Sequence, residues 1–424
     1  MARLAYLEEA QWWPPERIHN VRDTMLRRLI AVAWKEVPFY RELMQSAGVT
    51  PQDIRVAADL HRLPIVNKQM LRKRYPEGVV RPTGRKDYEV CSSGSTGSNF
   101  TVREDAPTAG THRAAFLLAL QWAGWRLGEH HLQTGITLQR SLDRRLKDRT
   151  LGCHYFSAFD LTDAYLDAML NAIRRRHIEH IWGYPGSLYF LARRAHQTGG
   201  VHPMRSVVTW GDNLYPHYRS MIESVFQVCV LDTYGCGEGM QIAAQCGEAG
   251  HYHVHSMDVI VEHVDERGRP VEPGDTGHVI VTRLHPGPMP LIRYRIGDLA
   301  QRGFDELCAC GRGFDLMGRI QGRDTDVIVT PGGNRLIVHF FTGLLEHFAE
   351  VECFQIVQPD PRTVLVRLVT PCRDGEFDAL AARVAERLRE AGMDSMETKI
   401  EKVAEIPTAS SGKRRFVISH VAAA

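Results

Sequence analysis

The sequence predicts a layered α/β protein built from two unequal domains, a large body over 1–322 and a small α+β domain over 323–424. Three observations carry this reading. The chain has 424 residues, 44% hydrophobic and 24% charged, enough to bury a large core, and at roughly 150 residues per domain it has room for two or three. Short β-branched runs at 207–209, 228–231 and 259–261 alternate with longer amphipathic stretches, the mark of helices packed on a sheet. Beyond Gly322 the text changes to strand-like runs around amphipathic segments, a unit of about 100 residues.

Taken in order, the opening 1–87 reads as helical. Leu26, Leu29, Ile30, Ala33 and Val37 recur at helical spacing, and Pro38 stops the pattern. A β-like run at 88–91 leads into a Ser/Gly loop, and the sheet-and-helix body follows. From 268 to 290 turn-rich pieces surround a strand-like run at 278–282, which predicts a small β subdomain over about 255–320. In the C-terminal unit the runs at 327–329, 354–357 and 364–369 read as strands. The segment 344–348, and the spacing of Phe377, Leu380, Val384 and Leu388, read as helices.

The global balance excludes some partners. With 52 basic and 50 acidic residues the formal charge is +2, which gives no general attraction to nucleic acid or an anionic membrane. The most apolar stretch, 114–120 extended by Trp122 and Trp125, is interrupted by Gln121 and falls far short of the roughly 20 residues a bilayer requires. Arg3, Glu8 and Glu9 leave no apolar run for a secretory leader, so a cytoplasmic location is expected. Nine cysteines, odd in number and scattered, do not form a disulfide framework.

Five segments have the residue types for chemistry on an anion. Ser92-Ser93-Gly94-Ser95-Thr96-Gly97-Ser98 combines hydroxyls with glycines that let backbone amides converge on a phosphate, although such a heptad also serves as a plain linker. It is not a Walker A loop, since no Gly-Lys-Ser/Thr follows. Asp232-Thr233-Tyr234-Gly235-Cys236-Gly237-Glu238 follows an apolar strand; Tyr234 offers a ring to a base and Glu238 a carboxylate to magnesium, unless this is a strand-to-helix turn with a solvated Glu. Asp298, after the strand-like 294–297, offers a carboxylate to two ribose hydroxyls, or sits on a surface turn. Gly322-Arg323-Asp324-Thr325-Asp326 lies at the domain joint. Lys413, within Ser411-Gly412-Lys413, can reach another domain's site and neutralise a pentavalent phosphorus, or belong to a basic tail.

The order of these segments resembles the acyl-adenylate-forming enzymes: acyl-CoA synthetases, peptide-synthetase adenylation domains and luciferase. Within them the chain is most similar to the phenylacetate:CoA ligase group and its capsule-biosynthesis relatives. Val37-Pro38-Phe39-Tyr40, Leu63-Pro64-Ile65 with Lys68, Trp182-Gly183-Tyr184-Pro185-Gly186-Ser187 and Trp210-Gly211-Asp212-Asn213-Leu214 carry that likeness over nearly the whole length. The resemblance implies an N-terminal AMP-binding domain and a mobile C-terminal lid. It assigns Ser92, Ser93, Gly94, Ser95, Thr96 and Gly97 to the pyrophosphate of ATP and Tyr234 to adenine, with Gly211, Asp212, Asp232 and Gly235 beside it. It gives magnesium to Glu238, ribose to Asp298 assisted by Arg323, the hinge to Asp326, and the bridge between phosphate and substrate carboxylate to Lys413. Members of the broader family usually carry Lys after the glycine loop; here Ser98 stands there, with Arg103 as the nearest substitute.

Cys246, followed by His251, His253 and His255, and Cys308-Ala309-Cys310 offer three thiols and an imidazole, the composition of a closed structural zinc site. Spacing alone leaves this open against buried thiols, because Cys-x-Cys is a less usual zinc spacing. The resemblance favours zinc, and by register implies His253 as fourth ligand, with His251 second. In similar enzymes the segments holding Tyr155, Phe156, Tyr184 and Trp210 wall the acyl pocket, so an aromatic acid is expected, with core packing as the other use of these rings.

The expected activity is therefore ATP-dependent conversion of a carboxylic acid to an acyl-adenylate with release of pyrophosphate, then transfer to coenzyme A. Two others remain in view. The adenylate passes instead to an amine, a carrier protein or a small inorganic nucleophile, giving an amide, ester or N–N bond; or the chain is an inactive nucleotide-binding scaffold. ATP, Mg2+, coenzyme A and a structural Zn2+ are the expected ligands. Nucleic acid and membrane are not expected partners, and the oligomeric state, homodimer included, is left open.

Overall fold

The computed structural model describes residues 1–92, 100–135, 140–158, 160–248, 250–323, 327–332, 335–345, 348, 350–407 and 416–421. The chain separates into two compact units, Met1–Asp212 with Ile222–Ile320, and Asn213–Met221 with Gln321–Ala424. Among the described residues no helix is long and apolar enough to cross a membrane.

The large unit opens on helices Ala2–Ala10, Pro15–Glu36 and Pro38–Ser46. Leu26, Leu29, Ile30 and Ala33 form the buried stripe of the second, as their spacing requires. Pro38 does end that pattern, but it also begins the next helix: Val37 is extended, and proline at the first helical position loses no hydrogen bond. The strand Asp87–Ser92 pairs antiparallel with Phe100–Asp105, so the Ser/Gly segment joins the two arms of a hairpin.

Among the described residues, eleven strands make the main sheet. Cys153–Ser157, His131–Gly135, His180–Gly183, Ser206–Thr209 and Val230–Cys236 lie side by side in parallel. Helices such as Asp163–Arg176, Pro185–Gln197 and Pro216–Phe226 make the crossovers that parallel strands need. At Val230–Cys236 the sheet changes hand of pairing: one edge is parallel to Ser206–Thr209, and the other is antiparallel to Met240–Gln245. The antiparallel wing continues through Tyr252–Val254, Leu316–Arg323, Tyr294–Arg302, Thr276–Arg283 and Val259–Val264. The strands expected as a β subdomain over about 255–320 are thus this wing, and their inner face shares a core with the opening helices through Leu29, Tyr40, Val279 and Tyr294.

Two boundaries differ from expectation in ways that matter for the site. The strand expected at 228–231 begins at Val230 and runs to Cys236, because Met240–Gln245 supplies a second ladder; Asp232 and Tyr234 are strand residues, and the turn is confined to 237–239. Asp298 likewise lies inside Tyr294–Arg302, where alternate residues Tyr294, Ile296, Asp298 and Ala300 share the buried face.

The small unit contains a four-stranded sheet in the order Glu397–Lys402, Thr363–Val369, Cys353–Asp360, Val417–Ser419, with helix Asp374–Leu388 and the hairpin Val327–Val329 with Arg335–Ile337. The helix expected at 344–348 is Val338–Leu345. Two strands were not anticipated: Glu397–Lys402 is mostly charged, and Val417–Ser419 is only three residues long.

Candidate active site and Cys/His cluster

The change from parallel to antiparallel pairing brings three carboxylates under different control. Asp232, paired with Thr209 at the last parallel step, is 5% exposed. Its Oδ1 accepts from Thr209 Oγ1 at 2.5 Å and its Oδ2 from the Tyr252 hydroxyl at 2.7 Å, while its amide donates to Gln245 Oε1 at 3.0 Å. Asp232 therefore anchors three strands to one another. Tyr234 lies two residues on, on the same face, and its hydroxyl donates to Asp298 Oδ2 at 2.7 Å. The residues assigned to adenine and ribose are thus joined directly, although 64 positions separate them.

Glu238 occupies the tight turn after this strand, yet it is only 2% exposed, which rules out the solvated-turn reading. Burial opposes its ionisation, but Lys68 Nζ at 3.1 Å and the Tyr294 hydroxyl at 2.9 Å, both on Oε1, hold its pKa below the ordinary value. The turn itself is clamped. Gly239 has φ +75°, and a side chain there would collide with the Glu104 carboxylate. The buried Arg283 donates to the Met289 carbonyl at 2.6 Å and reaches the Glu238 carbonyl at 3.4 Å and Glu104 at 3.5 Å. A carboxylate held ionised, buried and aimed by a rigid turn can ligate a hard divalent cation.

The expected acyl-pocket residues divide. Gly211 has φ +78°, and an added Cβ would stand 2.8 Å from Tyr184 Cε1, so the Trp210-Gly211-Asp212 turn can press against the Tyr184 ring only because residue 211 is glycine. Burial first, then Asp212 and Tyr155, push the Tyr184 hydroxyl up to about 12, so it is neutral at physiological pH. Tyr155 lies against Gly135, with Arg140 4.0 Å from its ring centre. Tyr155, Tyr184, Gly211 and Asp212 therefore adjoin at the carboxyl ends of the parallel strands, where open α/β sheets place ligands. Phe156 and Trp210 do not join them. Phe156 alternates to the other face and meets Tyr165 edge-on at 5.7 Å. Trp210 meets Phe116 edge-on at 5.4 Å and packs on the Trp125, Trp182 and Val208 cluster.

Cys246, His253, Cys308 and Cys310 converge from three separate segments so that one donor atom of each lies within 4.8 Å of the others. Cys246 Sγ is 3.6 Å from Cys308 Sγ, and Cys310 Sγ is 3.3 Å from His253 Nε2. His251 lies outside this group. His255 is buried and stacks on Trp122 with ring centres 5.6 Å apart.

Ser93, Gly94, Ser95, Thr96 and Gly97, with Ser98, lie outside the described residues, as do Asp326 and Lys413. Ser92 ends the first arm of the hairpin, and Gly235 marks the register shift opposite Gln241. Arg323 ends Leu316–Arg323 and falls in the second unit. Arg103 does not replace the loop lysine: its guanidinium is committed across the hairpin to Asp87 at 2.6 Å and Glu89 at 3.2 Å. Sequence reasoning missed Tyr294, Tyr252 and Thr209 as partners of the site carboxylates, and had Lys68 only as part of a motif. The signal for Tyr294 was its period-2 spacing from Asp298.

Comparison with known proteins agrees with this architecture. Residues 328–420 match the family model described as the CapK C-terminal domain. The chain is 25% identical over 450 aligned positions to phenylacetate-coenzyme A ligase of Thermus thermophilus, covering 98% of this chain and 99% of the relative. It is 22% identical to protein CapK of Staphylococcus aureus, over 91% of this chain and 86% of that one. Among solved structures, 2-hydroxyisobutyryl-CoA ligase in its postadenylation state superposes with a TM-score of 0.79 at 18% identity, covering 97% of this chain and 91% of the other. That match shows a shared fold.

Proposed function

From this chain-long resemblance to phenylacetate-CoA ligase and CapK, and the fold shared with an acyl-adenylate-forming ligase, we propose that the protein activates a carboxylic acid with ATP and transfers the acyl group to coenzyme A. The carrying observation is the Tyr234–Asp298 hydrogen bond beside the buried Glu238, where the sheet changes from parallel to antiparallel. In the first step a substrate carboxylate oxygen attacks the α-phosphorus and pyrophosphate leaves. In the second, the thiol sulfur attacks the acyl carbon, AMP leaves, and the thiol proton passes to solvent.

Tyr234 lies against adenine in this reading and Asp298 accepts from the ribose, assisted by Arg323. Asp232 supports them from beneath through Thr209 and Tyr252. The Ser92 to Gly97 loop holds the pyrophosphate, and Lys413 neutralises charge developing at phosphorus. Glu238 would hold magnesium, which supplies charge neutralisation to the phosphates. The small domain over 323–424 turns about Asp326 between the two steps. Tyr155 and Tyr184 favour an aromatic acid. Cys246, His253, Cys308 and Cys310 fit a structural zinc, three sulfurs and one imidazole in a closed set, tying the strands of the wing together. A cytoplasmic setting suits the three reduced thiols of this set.

The test is acid-dependent exchange of labelled pyrophosphate into ATP across a panel of aromatic acids, followed by product mass spectrometry with coenzyme A. Exchange with at least one acid and a coenzyme A-dependent thioester are expected; no exchange with any acid would overturn the reading. Lys413→Ala should lower exchange by about 10²- to 10³-fold, and near-normal exchange would remove Lys413 from the mechanism.

A further inference from the structure

Helix Leu142–Thr150 has no buried residue, and every one of its side chains but Asp148 is exposed. Leu142 and Leu146, one helical turn apart on the same face, are 81% and 66% exposed. At helical spacing Arg145 and Arg149 lie along one flank of this pair, Asp143, the one exposed carboxylate of the helix, and then Lys147 lie along the other, and Arg144 faces the opposite side. In a chain whose total formal charge is +2, this is a local concentration of cations with an apolar centre. Two exposed leucines one turn apart, with a stacked pair of arginines along one flank, offer an apolar anchor and a cationic edge to a partner.

The helix is also coupled to the proposed active site. It follows strand His131–Gly135 at the carboxyl ends of the parallel strands. Arg140, just before it, pairs with Asp148 at 2.5 and 2.9 Å, while the same guanidinium lies 4.0 Å from the centre of the Tyr155 ring. Strand Cys153–Ser157, which follows the helix, is an edge of the main sheet.

We infer that helix Leu142–Thr150 docks an acidic carrier protein that presents a phosphopantetheine thiol to the adenylate. The inference rests on the proposed adenylation and thiol transfer. A site that admits the pantetheine arm of coenzyme A can admit the same arm borne on a protein, and a protein-borne arm gains from a surface that steers its carrier. Arg145 and Arg149 beside the leucines match an acidic partner face, and the two leucines supply an anchor; nine residues with two leucines give little apolar face to a bilayer.

The experiment compares wild type, the triple variant Arg145→Glu/Lys147→Glu/Arg149→Glu, and the double variant Leu142→Ser/Leu146→Ser. Arg140 is left in place. The probe is a phosphopantetheinylated acyl carrier protein of strongly negative charge. The wild type is expected to bind it, less tightly as salt rises from about 0.05 to about 0.5 M, and both variants should bind and acylate it at least about tenfold less well. Pyrophosphate exchange and transfer to free coenzyme A should stay within about twofold in all three proteins, because no site residue is altered. Equal binding by wild type and variants, or no binding by wild type, overturns the proposal. So does wild-type co-sedimentation with phosphatidylglycerol vesicles in place of carrier binding, or a dimer that charge reversal dissolves. Carrier binding is read separately from catalysis, so absent exchange in wild type would overturn the adenylation reading without deciding the surface.

Discussion

Two buried polar clusters flank the same strands and are satisfied in opposite ways. Around Asp232, Asp298 and Glu238, carboxylates accept hydrogen bonds or face a cation supplied by the chain itself: Thr209, Tyr252, Tyr234, Tyr294 and Lys68. Around Cys246, His253, Cys308 and Cys310, three thiols and an imidazole face one another, with Arg312 beside Cys310. Burying a polar group costs free energy unless it is partnered; the chain itself partners the first cluster, whereas an ion would complete the donor set of the second. The first arrangement suits a site that binds and releases, the second a site that holds.

The largest expected effect breaks the second cluster. Cys308→Ser, or removal of metal by a chelator, should cost about 3–5 kcal/mol in urea unfolding, as loss of one partner from a buried charged set does. Metal analysis showing one zinc per chain would sharpen the contrast, and zinc-free protein of equal stability would erase it. Next is Lys68→Met, which leaves Glu238 buried without its cation and should cost about 2–3 kcal/mol. Because the Glu238 pKa is held down in the folded state, its contribution is present above the unfolded pKa and lost as pH falls through the folded one. In Lys68→Met the acid limb of magnesium-dependent exchange should therefore move to higher pH; an unmoved limb would mean Lys68 does not set Glu238's charge.

Tyr234→Phe removes one donor from Asp298 and should cost about 1–1.5 kcal/mol while weakening ATP use. A variant with unchanged KM for ATP would separate the hydrogen bond from nucleotide binding. The smallest effect is remote from both clusters. Burial lowers His131 and His263 to about 4, so each is neutral when folded; stability is full above about pH 6.5 and declines as pH falls toward about 4. Between about pH 7.5 and about pH 5.5, His263→Asn should flatten the fall in unfolding free energy by about 1 kcal/mol, and an unchanged slope would place the titration elsewhere.

Much of the fold was legible because its signals are local. The stripe Leu26, Leu29, Ile30 and Ala33 declares a helix at any position in space, and the runs at 207–209 and 259–261 declare strands. Boundaries failed where pairing decided them: Tyr234 reads as a turn residue beside Gly235 until Met240–Gln245 supplies a partner strand. Motif order named Asp298 and Glu238 as candidates, and the structure buries both with hydrogen-bond partners; other candidates could not be placed from the sequence. They were not legible where only packing could assign a direction, as for Phe156 and Trp210, which turn into their neighbours.

The sequence by itself determined residue chemistry and periodicity: a two-part α/β chain, a near-neutral balance, carboxylates, thiols and a lysine in a telling order. Tertiary structure decided which of those groups meet. It joined Tyr234 to Asp298, gave Glu238 to Lys68 and Tyr294, chose His253 over His251, and committed Arg103 to Asp87. The reason is physical. Period and propensity act over a few residues along the chain, whereas hydrogen bonds, ion pairs and ligand sets act over a few ångströms in space, and only the sheet's register converts one distance into the other.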